Sequence, residues 1–166
     1  MRIVCLSDSN TSPARQHSAS TRTCELVRDQ LAAHNSSIET VIVHLTDHAM
    51  NPCRICGECL PTLRSSQDNT YHTPLHGKPI GIIAHGGQSE GALPYYKTAL
   101  LDPLANAFAS VQMRVIGTGE HWPNGVAFGI QNLTMPTDSI FVTIEHDWQI
   151  IRQRIQPLVE NVIAAI

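Results

Sequence analysis

The sequence Arg-Ile-Val-Cys-Leu at residues 2–6 is followed by a polar loop, SDSNTSPARQHSAST, at residues 7–21, and these two segments decide the fold. The first segment predicts a β-strand. Beyond the loop, Cys24, Val27 and Leu31 recur at three- and four-residue spacing, which is typical of an amphipathic helix. Strand, polar loop and helix in this order predict the first unit of an α/β fold.

The loop has the chemistry of an anion-binding site. A helix N-terminus directs backbone N–H groups and the positive end of the helix dipole at whatever lies there. The hydroxyls of Ser18, Ser20 and Thr21 and the charge of Arg15 could complete a shell around a phosphate. In the alternative interpretation, Ser20 or Thr21 simply caps the helix behind a surface loop. The loop contains no glycine, unlike glycine-rich phosphate loops, so both interpretations stay open.

The rest of the chain alternates between strand and helix patterns. Further strands are predicted at 38–45, 79–85, 113–118 and 139–145. Because near-continuous apolar strands separated by helices are typical of parallel sheets covered on both faces, we expect an α/β protein. The segments 60–78 and 119–138 predict irregular structure.

Two helices are predicted in the second half of the chain. The first is expected to kink at Asp102-Pro103, or to split there into two helices with Asp102 as the second cap. Asp147 is predicted to cap the last helix, with a bend at Pro157. The apolar face predicted for the first helix contains Leu93, Tyr96, Leu100, Leu104 and Phe108, and that of the second contains Ile151, Ile155, Leu158, Val162 and Ile166.

Composition excludes several classes of protein. The chain has 166 residues, which predicts one domain. Only 15% of the residues are charged and the net charge is −3, so there is no basic field for nucleic acid. Apolar runs fall short of the roughly 20 residues that a membrane span needs, and the N-terminus reads as a strand rather than a signal peptide. We therefore expect a cytoplasmic protein that binds neither nucleic acid nor membrane.

Three of the five cysteines, Cys53, Cys56 and Cys59, are spaced as C-x-x-C-x-x-C. Three thiolates on one tight loop could hold an iron–sulfur cluster or zinc. The alternatives are a redox-active dithiol and a plain turn with buried thiols. A metal site would need a fourth ligand, for which the candidates are His72, His76, Asp68, Cys5 and Cys24.

A motif for a different reaction lies at residues 87–91. Their sequence, Gly-Gln-Ser-Glu-Gly, matches the G-x-S-x-G pattern of a hydrolase nucleophile elbow. Ser89 would be the nucleophile, with His121 or His146 and Asp138 as triad partners. The serine comes several residues past the apolar end of the predicted strand, whereas the elbow needs a sharp strand–turn–helix connection. A serine hydrolase is therefore the minor alternative.

Three features, and their order along the chain, resemble the flavodoxin-like NAD(P)H-dependent FMN reductase family, which includes quinone reductases, azoreductases and iron–sulfur flavoproteins. They are the loop at 12–21, the cysteine-rich turn at 52–59, and the residues 77–80 that lead a strand into Gly86-Gly87. The resemblance implies a flavodoxin-like three-layer sandwich with a parallel sheet of about five strands. It also implies an FMN-binding oxidoreductase that uses NAD(P)H, reduces a small-molecule electron acceptor and forms a homodimer.

The resemblance assigns roles to particular residues. Gly86 and Gly87 would allow the flavin ring to approach the backbone closely. Members of the family carry a further strand, a Pro-x-Tyr loop and a helix where this chain has only 60–78, although Tyr71 and His72 could substitute. The strand at 139–145 could fill the place that the missing strand leaves in the sheet. The alternative function is that of a non-catalytic electron carrier that binds flavin or an iron–sulfur cluster. The residues implied for the FMN phosphate are Ser9, Arg15, Ser18, Ser20 and Thr21.

Overall fold

The computed structural model describes residues 1–7, 18–48, 74–134 and 143–166. The chain divides into an N-terminal unit, Met1–Cys56, and a C-terminal unit, Gly57–Ile166. In the described residues the protein is mixed α/β, with small parallel sheets and helices.

The N-terminal unit is a parallel strand–helix–strand unit. β1 (Arg2–Ser7) is followed by α1 (Ala19–His34) and β2 (Glu39–His44), and the strands predicted at 2–6 and 38–45 are confirmed. The two strands pair in parallel over their full length. Parallel neighbours need a long crossover, and α1 provides it while contacting both strands.

The two sides of β1 differ in burial. Ile3 and Cys5 are partly buried and Ser7 is only 1% exposed, whereas Val4 and Leu6 are each 53% exposed. This alternation follows from the two-residue period of a strand. The Ser7 hydroxyl oxygen lies 3.4 Å from the hydroxyl oxygen of Thr21 on α1, so the buried side of β1 is the side that α1 covers.

Parallel pairing also organises the C-terminal unit. The strand predicted at 79–85 is found as β3 (Pro79–Gly81) and β4 (Ile83–Ser89). β3 pairs in parallel with β5 (Arg114–Ile116), and β4 pairs in parallel with β6 (Val126–Ile130). All five residues of β6 are buried, so this strand is the centre of the unit.

The prediction of irregular structure over 119–138 is wrong where β6 and β7 (Asn132–Thr134) lie. β6 is short, and its small residues weaken the apolar pattern that identifies strands. β7 pairs antiparallel with β8 (Thr143–Glu145), the described part of the strand predicted at 139–145. That strand therefore does not fill a vacant place in a parallel sheet.

The helix predicted between the third and fourth strands changes its winding instead of breaking. α2 (Leu93–Tyr96) continues through a π-helical turn, Lys97–Leu101, into α3 (Asp102–Ser110). Asp102 is not a cap, since the residue before it is already helical and its carboxylate instead accepts a hydrogen bond from Asn124 at 2.9 Å. A proline removes one backbone donor and crowds the preceding turn, and the wider π turn ends at Leu101, two residues before Pro103.

The π turn also shifts the buried face of this helix. Tyr96, Leu101 and Ala105 are 1–4% exposed, whereas Leu100 and Leu104 of the predicted face are 36% and 45% exposed. A π turn inserts one extra residue, so the inward positions beyond it fall one residue later than a regular α-helix would place them. The predicted face is therefore wrong at these two leucines.

The last helix is confirmed in its position and its cap, but the predicted apolar face is wrong at Ile166, which lies beyond the helix and is 55% exposed. α4 (Trp148–Ala164) buries Ile151, Ile155 and Leu158, each at most 2% exposed, and Pro157 lies inside it. Asp147 is its N-cap, as predicted, and its carboxylate accepts hydrogen bonds from the amides of Gln149 and Ile150 at 3.0 and 3.1 Å.

Replacing this cap should weaken the C-terminal unit. Asp147→Ala leaves two first-turn amides without their acceptor, and we expect the free energy of unfolding to fall by about 1 kcal/mol. Asp147→Asn keeps an acceptor oxygen and serves as the matched control. Denaturant titration measures both variants, and equal losses in Asn and Ala would contradict the capping role.

The described strands pair two by two, in four separate two-stranded sheets. The parallel pairs β1–β2, β3–β5 and β4–β6 fit the α/β class. A single flavodoxin-like sheet of about five strands is not confirmed by this pairing.

Candidate functional site

The end of β1 and the start of α1 form a cluster of three hydroxyl groups, which we call the hydroxyl cluster. It consists of Ser7, Ser18 and Thr21. Ser7 and Ser18 are 1% and 7% exposed, and the Ser7 and Thr21 hydroxyl oxygens are 3.4 Å apart. Ser7 is the last residue of β1, so the cluster lies at the carboxyl end of a parallel strand. This is where open α/β folds bind their ligands.

Ser18 begins the helix. It has extended backbone angles, φ −69° and ψ 128°, and its side chain accepts a 3.5 Å hydrogen bond from the Thr21 amide. The prediction that Ser20 or Thr21 is the cap is therefore wrong, because both lie within α1. A distance of 3.5 Å is at the long limit for a hydrogen bond, so the Ser18 cap is a weak one.

The hydroxyl cluster suits an oxyanion. The first turn of α1 contains no acidic residue. Serine and threonine hydroxyls donate one hydrogen bond each, and first-turn amides have no acceptor inside their own helix. Neutral donors at the positive end of a helix dipole stabilise a negative charge.

Nine of the candidate site residues fall outside the described residues. They are Ser9, Arg15, the clustered cysteines Cys53, Cys56 and Cys59, and the further candidates Asp68, Tyr71, His72 and Asp138. Their predicted roles stay predictions. Among the described residues, no group of three or more His, Cys, Asp or Glu side chains could hold a metal ion.

The predicted ring-binding glycines lie in β4 and differ in their surroundings. A Cβ on Gly86 would lie 2.6 Å from the phenol oxygen of Tyr96, whereas a Cβ on Gly87 would meet nothing within 4 Å. The Tyr96 oxygen accepts a 2.8 Å hydrogen bond from the Gln88 amide. Gly86 thus makes room for a buried tyrosine of its own unit, and only Gly87 leaves open space beside the strand.

Ser89 ends β4 with an ordinary backbone. Its angles are φ −64° and ψ 168°, and a 3₁₀ turn follows it. A nucleophile elbow needs a sharp, strained turn at the serine. The backbone geometry at Ser89 therefore gives the hydrolase alternative no support.

An aromatic cluster of His85, Phe128, His146 and Trp148 lies in the C-terminal unit and was not predicted. The rings of His85 and Phe128 stack at 5.2 Å, and His146 meets the edge of Phe128 at 5.7 Å. The Trp148 ring lies 5.4 Å from that of His146. The sequence signal that could have indicated this cluster is the position of the two histidines, since each lies near the carboxyl end of a predicted strand.

Burial favours the neutral form of both imidazoles in this cluster. Burial lowers the pKa of His85, and the neighbouring His146 lowers it further; burial alone lowers the pKa of His146. The Nδ1 atom of His146 is buried and has no hydrogen-bond partner among the described residues. Since burial penalises the charged form, protonation of either ring works against folding.

A polar network lies beside the aromatic cluster. Glu90 accepts hydrogen bonds from the Gly129 amide at 3.0 Å, from Gln131 at 2.7 Å and from Arg154 at 2.6 Å. Burial would raise the pKa of Glu90, but these hydrogen bonds and the charge of Arg154 lower it overall. Gln131 also accepts a 3.1 Å hydrogen bond from the Asp147 amide. The network fixes the end of β6 to the start of α4.

Acid should destabilise the C-terminal unit through the two histidines. Each folded-state pKa lies below the unfolded value of about 6.5, so the unfolded chain binds more protons. The stability from these groups is complete above pH 6.5 and is lost as the pH falls below it, at most about 1.4 kcal/mol per pH unit for each ring. His85→Phe and His146→Phe should each flatten the slope of unfolding free energy against pH. Unchanged slopes in both variants would contradict this origin.

None of the helices in the described residues is both long enough and apolar enough to span a bilayer. Comparisons of the chain with protein-family models, with curated proteins and with solved structures gave no match.

Proposed function

We propose that the protein binds FMN, with its phosphate at the hydroxyl cluster, and acts as an NAD(P)H-dependent oxidoreductase of the flavin or quinone reductase type. The observation that carries the proposal is the 3.4 Å approach of the Ser7 and Thr21 hydroxyls at the carboxyl end of β1, beside the N-cap Ser18. The parallel β1–α1–β2 unit supports a flavodoxin-like arrangement in which this end of the strand faces the cofactor.

Hydroxyl groups and the helix dipole would bind the phosphate together. Ser18 and Thr21 donate from their hydroxyls, and Ser20 in the same helical turn adds a third. The dipole of the 16-residue helix α1 favours the dianion. The family resemblance assigns Ser9 and Arg15 of the first loop to the same phosphate.

The assignment of the flavin ring to Gly86 and Gly87 comes from the family resemblance alone. Of the two glycines, only Gly87 has open space beside it, since a Cβ there would meet nothing within 4 Å. When bound, FMN supplies the capacity to accept a hydride from a nicotinamide and pass electrons to a small acceptor. The protein contributes binding and orientation, and no side-chain acid or base is required for hydride transfer.

The electron acceptor, the cellular location and the oligomeric state in this proposal come from the family resemblance. The acceptor is a small molecule such as a flavin or quinone, and the working form is a cytoplasmic homodimer. An iron–sulfur cluster or zinc at Cys53, Cys56 and Cys59 is not needed for it.

A charge reversal at Ser18 tests the phosphate site separately from the helix cap. Aspartate caps helices as well as serine does and suits the positive end of the dipole. These gains offset the cost of a charge at a position that is only 7% exposed, so we expect Ser18→Asp to change the unfolding free energy little. Its carboxylate would repel the phosphate, and we expect FMN affinity to fall by about tenfold or more. Riboflavin, which has no phosphate, should lose little affinity.

The matched control is Ser36→Asp, which adds the same charge at an exposed turn beyond the end of α1. It should leave the affinity for FMN unchanged. Fluorescence titration with both flavins measures the effect. Equal loss of FMN and riboflavin in Ser18→Asp, or no loss of FMN, would contradict the phosphate assignment.

A further inference from the structure

Two cysteines of the N-terminal unit face each other where α1 packs on β1. Cys5 precedes Ser7 by two residues on the buried side of β1, and Cys24 follows Thr21 by three residues on α1. The Ser7 and Thr21 hydroxyls are already 3.4 Å apart. A crossover helix runs back against its strand, so both steps go in the same direction, by about 6.6 Å along the strand and about 4.5 Å along the helix. The register therefore brings the two thiols together.

The environments of the two thiols are complementary. Cys5 is partly exposed, while Cys24 is 8% exposed, and both are free cysteines. A hydrogen bond from Cys24 lowers the pKa of Cys5 against the opposing effect of burial, and the charge of Arg28 lowers it further. The same contact, together with burial, raises the pKa of Cys24. Cys5 is thus the more acidic thiol of the pair and Cys24 the less acidic one.

We propose that Cys5 and Cys24 are a redox-active pair that closes to an intramolecular disulfide by exchange with a small-molecule disulfide. This inference is independent of flavin binding. It adds a modification site to the N-terminal unit, separate from the three cysteines at 53, 56 and 59.

The exchange proceeds in two balanced steps. The Cys5 thiolate attacks one sulfur of the small disulfide, whose S–S bond breaks and releases one small thiolate. The Cys24 thiol then loses its proton to water and attacks the sulfur of Cys5, which breaks the mixed disulfide and releases the second small thiolate. Overall, two protein thiols are oxidised to one disulfide, and one small disulfide is reduced to two thiols.

The order of the steps follows from charge. Once Cys5 is part of a mixed disulfide, its negative charge is gone, and the largest cause of the raised pKa of Cys24 goes with it. Burial is then the main remaining obstacle to ionisation of Cys24. The second thiol becomes reactive only after the first has reacted.

Trypsin separates the cysteines well enough for a direct test. Cleavage after arginine places Cys5 in peptide 3–15 and Cys24 in peptide 23–28, while the other three cysteines fall in peptides 29–54 and 55–64. The reduced full-length protein is incubated with glutathione disulfide, quenched with iodoacetamide, digested and analysed by mass spectrometry. We expect peptides 3–15 and 23–28 linked to each other, with the loss of two hydrogens.

Variants define the role of each thiol. In Cys24→Ala, glutathione should stay attached to Cys5, because no second thiol displaces it. In Cys5→Ala, Cys24 should remain unmodified. Brief alkylation of the reduced wild type should modify Cys5 faster than Cys24 by about tenfold or more, since thiolate fraction controls the rate.

Three results would overturn the proposal: no linked peptide at any ratio of glutathione disulfide to glutathione, stable glutathione on Cys5 in the wild type, or linkage of Cys5 to the cysteines at 53–59. The wild-type digest needs no substitution, so a variant that fails to fold leaves the test decisive.

Discussion

Gly125→Ala should unfold or severely destabilise the C-terminal unit. Gly125 has a φ of +132°, and a Cβ there would lie 2.2 Å from the carbonyl oxygen of Ile82. That oxygen accepts the 2.9 Å hydrogen bond from the Val126 amide, which joins the start of β6 to the β3–β4 segment. Because the backbone strain and the steric clash add, we expect the free energy of unfolding to fall by about 3 kcal/mol or more.

Gly119 provides the matched control for this glycine. Its φ is +139°, but a Cβ there meets nothing within 4 Å. Gly119→Ala therefore carries the backbone strain alone, about 1–3 kcal/mol. Denaturant titration followed by tryptophan fluorescence measures both, since Trp122 and Trp148 lie in the C-terminal unit. Equal losses in the two variants would contradict the close approach of Gly125 to Ile82.

Phe128→Ala should have a comparable effect for a different reason. Phe128 is 0% exposed and lies at the centre of the aromatic cluster, between the rings of His85, His146 and Trp148. Removing the ring loses its burial and leaves a cavity, at a cost of about 3–5 kcal/mol. Water entering the cavity would also hydrate both imidazoles and raise their pKa values towards the usual range.

Phe128→Leu is the control, because it keeps most of the apolar volume and should cost less than about 1.5 kcal/mol. Thermal or denaturant unfolding measures both variants. A loss in Phe128→Ala no larger than that in Phe128→Leu would show that this ring does not hold the centre of the unit together.

Local patterns predicted much of the secondary structure. The strands at 2–6 and 38–45 and the last helix with its Asp147 cap are confirmed, and the strand predicted at 113–118 is found over Arg114–Ile116. These elements were predictable because apolar periodicity and capping chemistry act over a few residues.

Two features of the C-terminal unit were not predicted in full. β6 forms where its buried residues pair with the distant strand β4, and this pairing has no signature in the local pattern. Pro103 predicted an irregularity in the helix, but not a π turn that moves the buried face by one residue. The hydroxyl cluster was predicted in part: Ser18 and Thr21 came from the loop chemistry, whereas Ser7 was missed because it ends the strand.

The aromatic cluster was missed for a similar reason. His85 and His146 are 61 residues apart in sequence, and only the packing of both rings on Phe128 brings them together. A histidine near a strand end is a weak signal, because most histidines lie on solvated surfaces.

We propose that this protein binds FMN and reduces it with NAD(P)H. The most direct measurement is the visible absorbance spectrum of the full-length protein, incubated with FMN, freed of unbound flavin by gel filtration without air, and then mixed with NADH or NADPH. Binding predicts that FMN elutes with the protein, and reduction predicts that its visible absorbance bleaches on addition of nicotinamide. A protein that elutes without FMN would contradict the claim, and flavin that binds but is not bleached would reduce it to an electron-carrier or binding role.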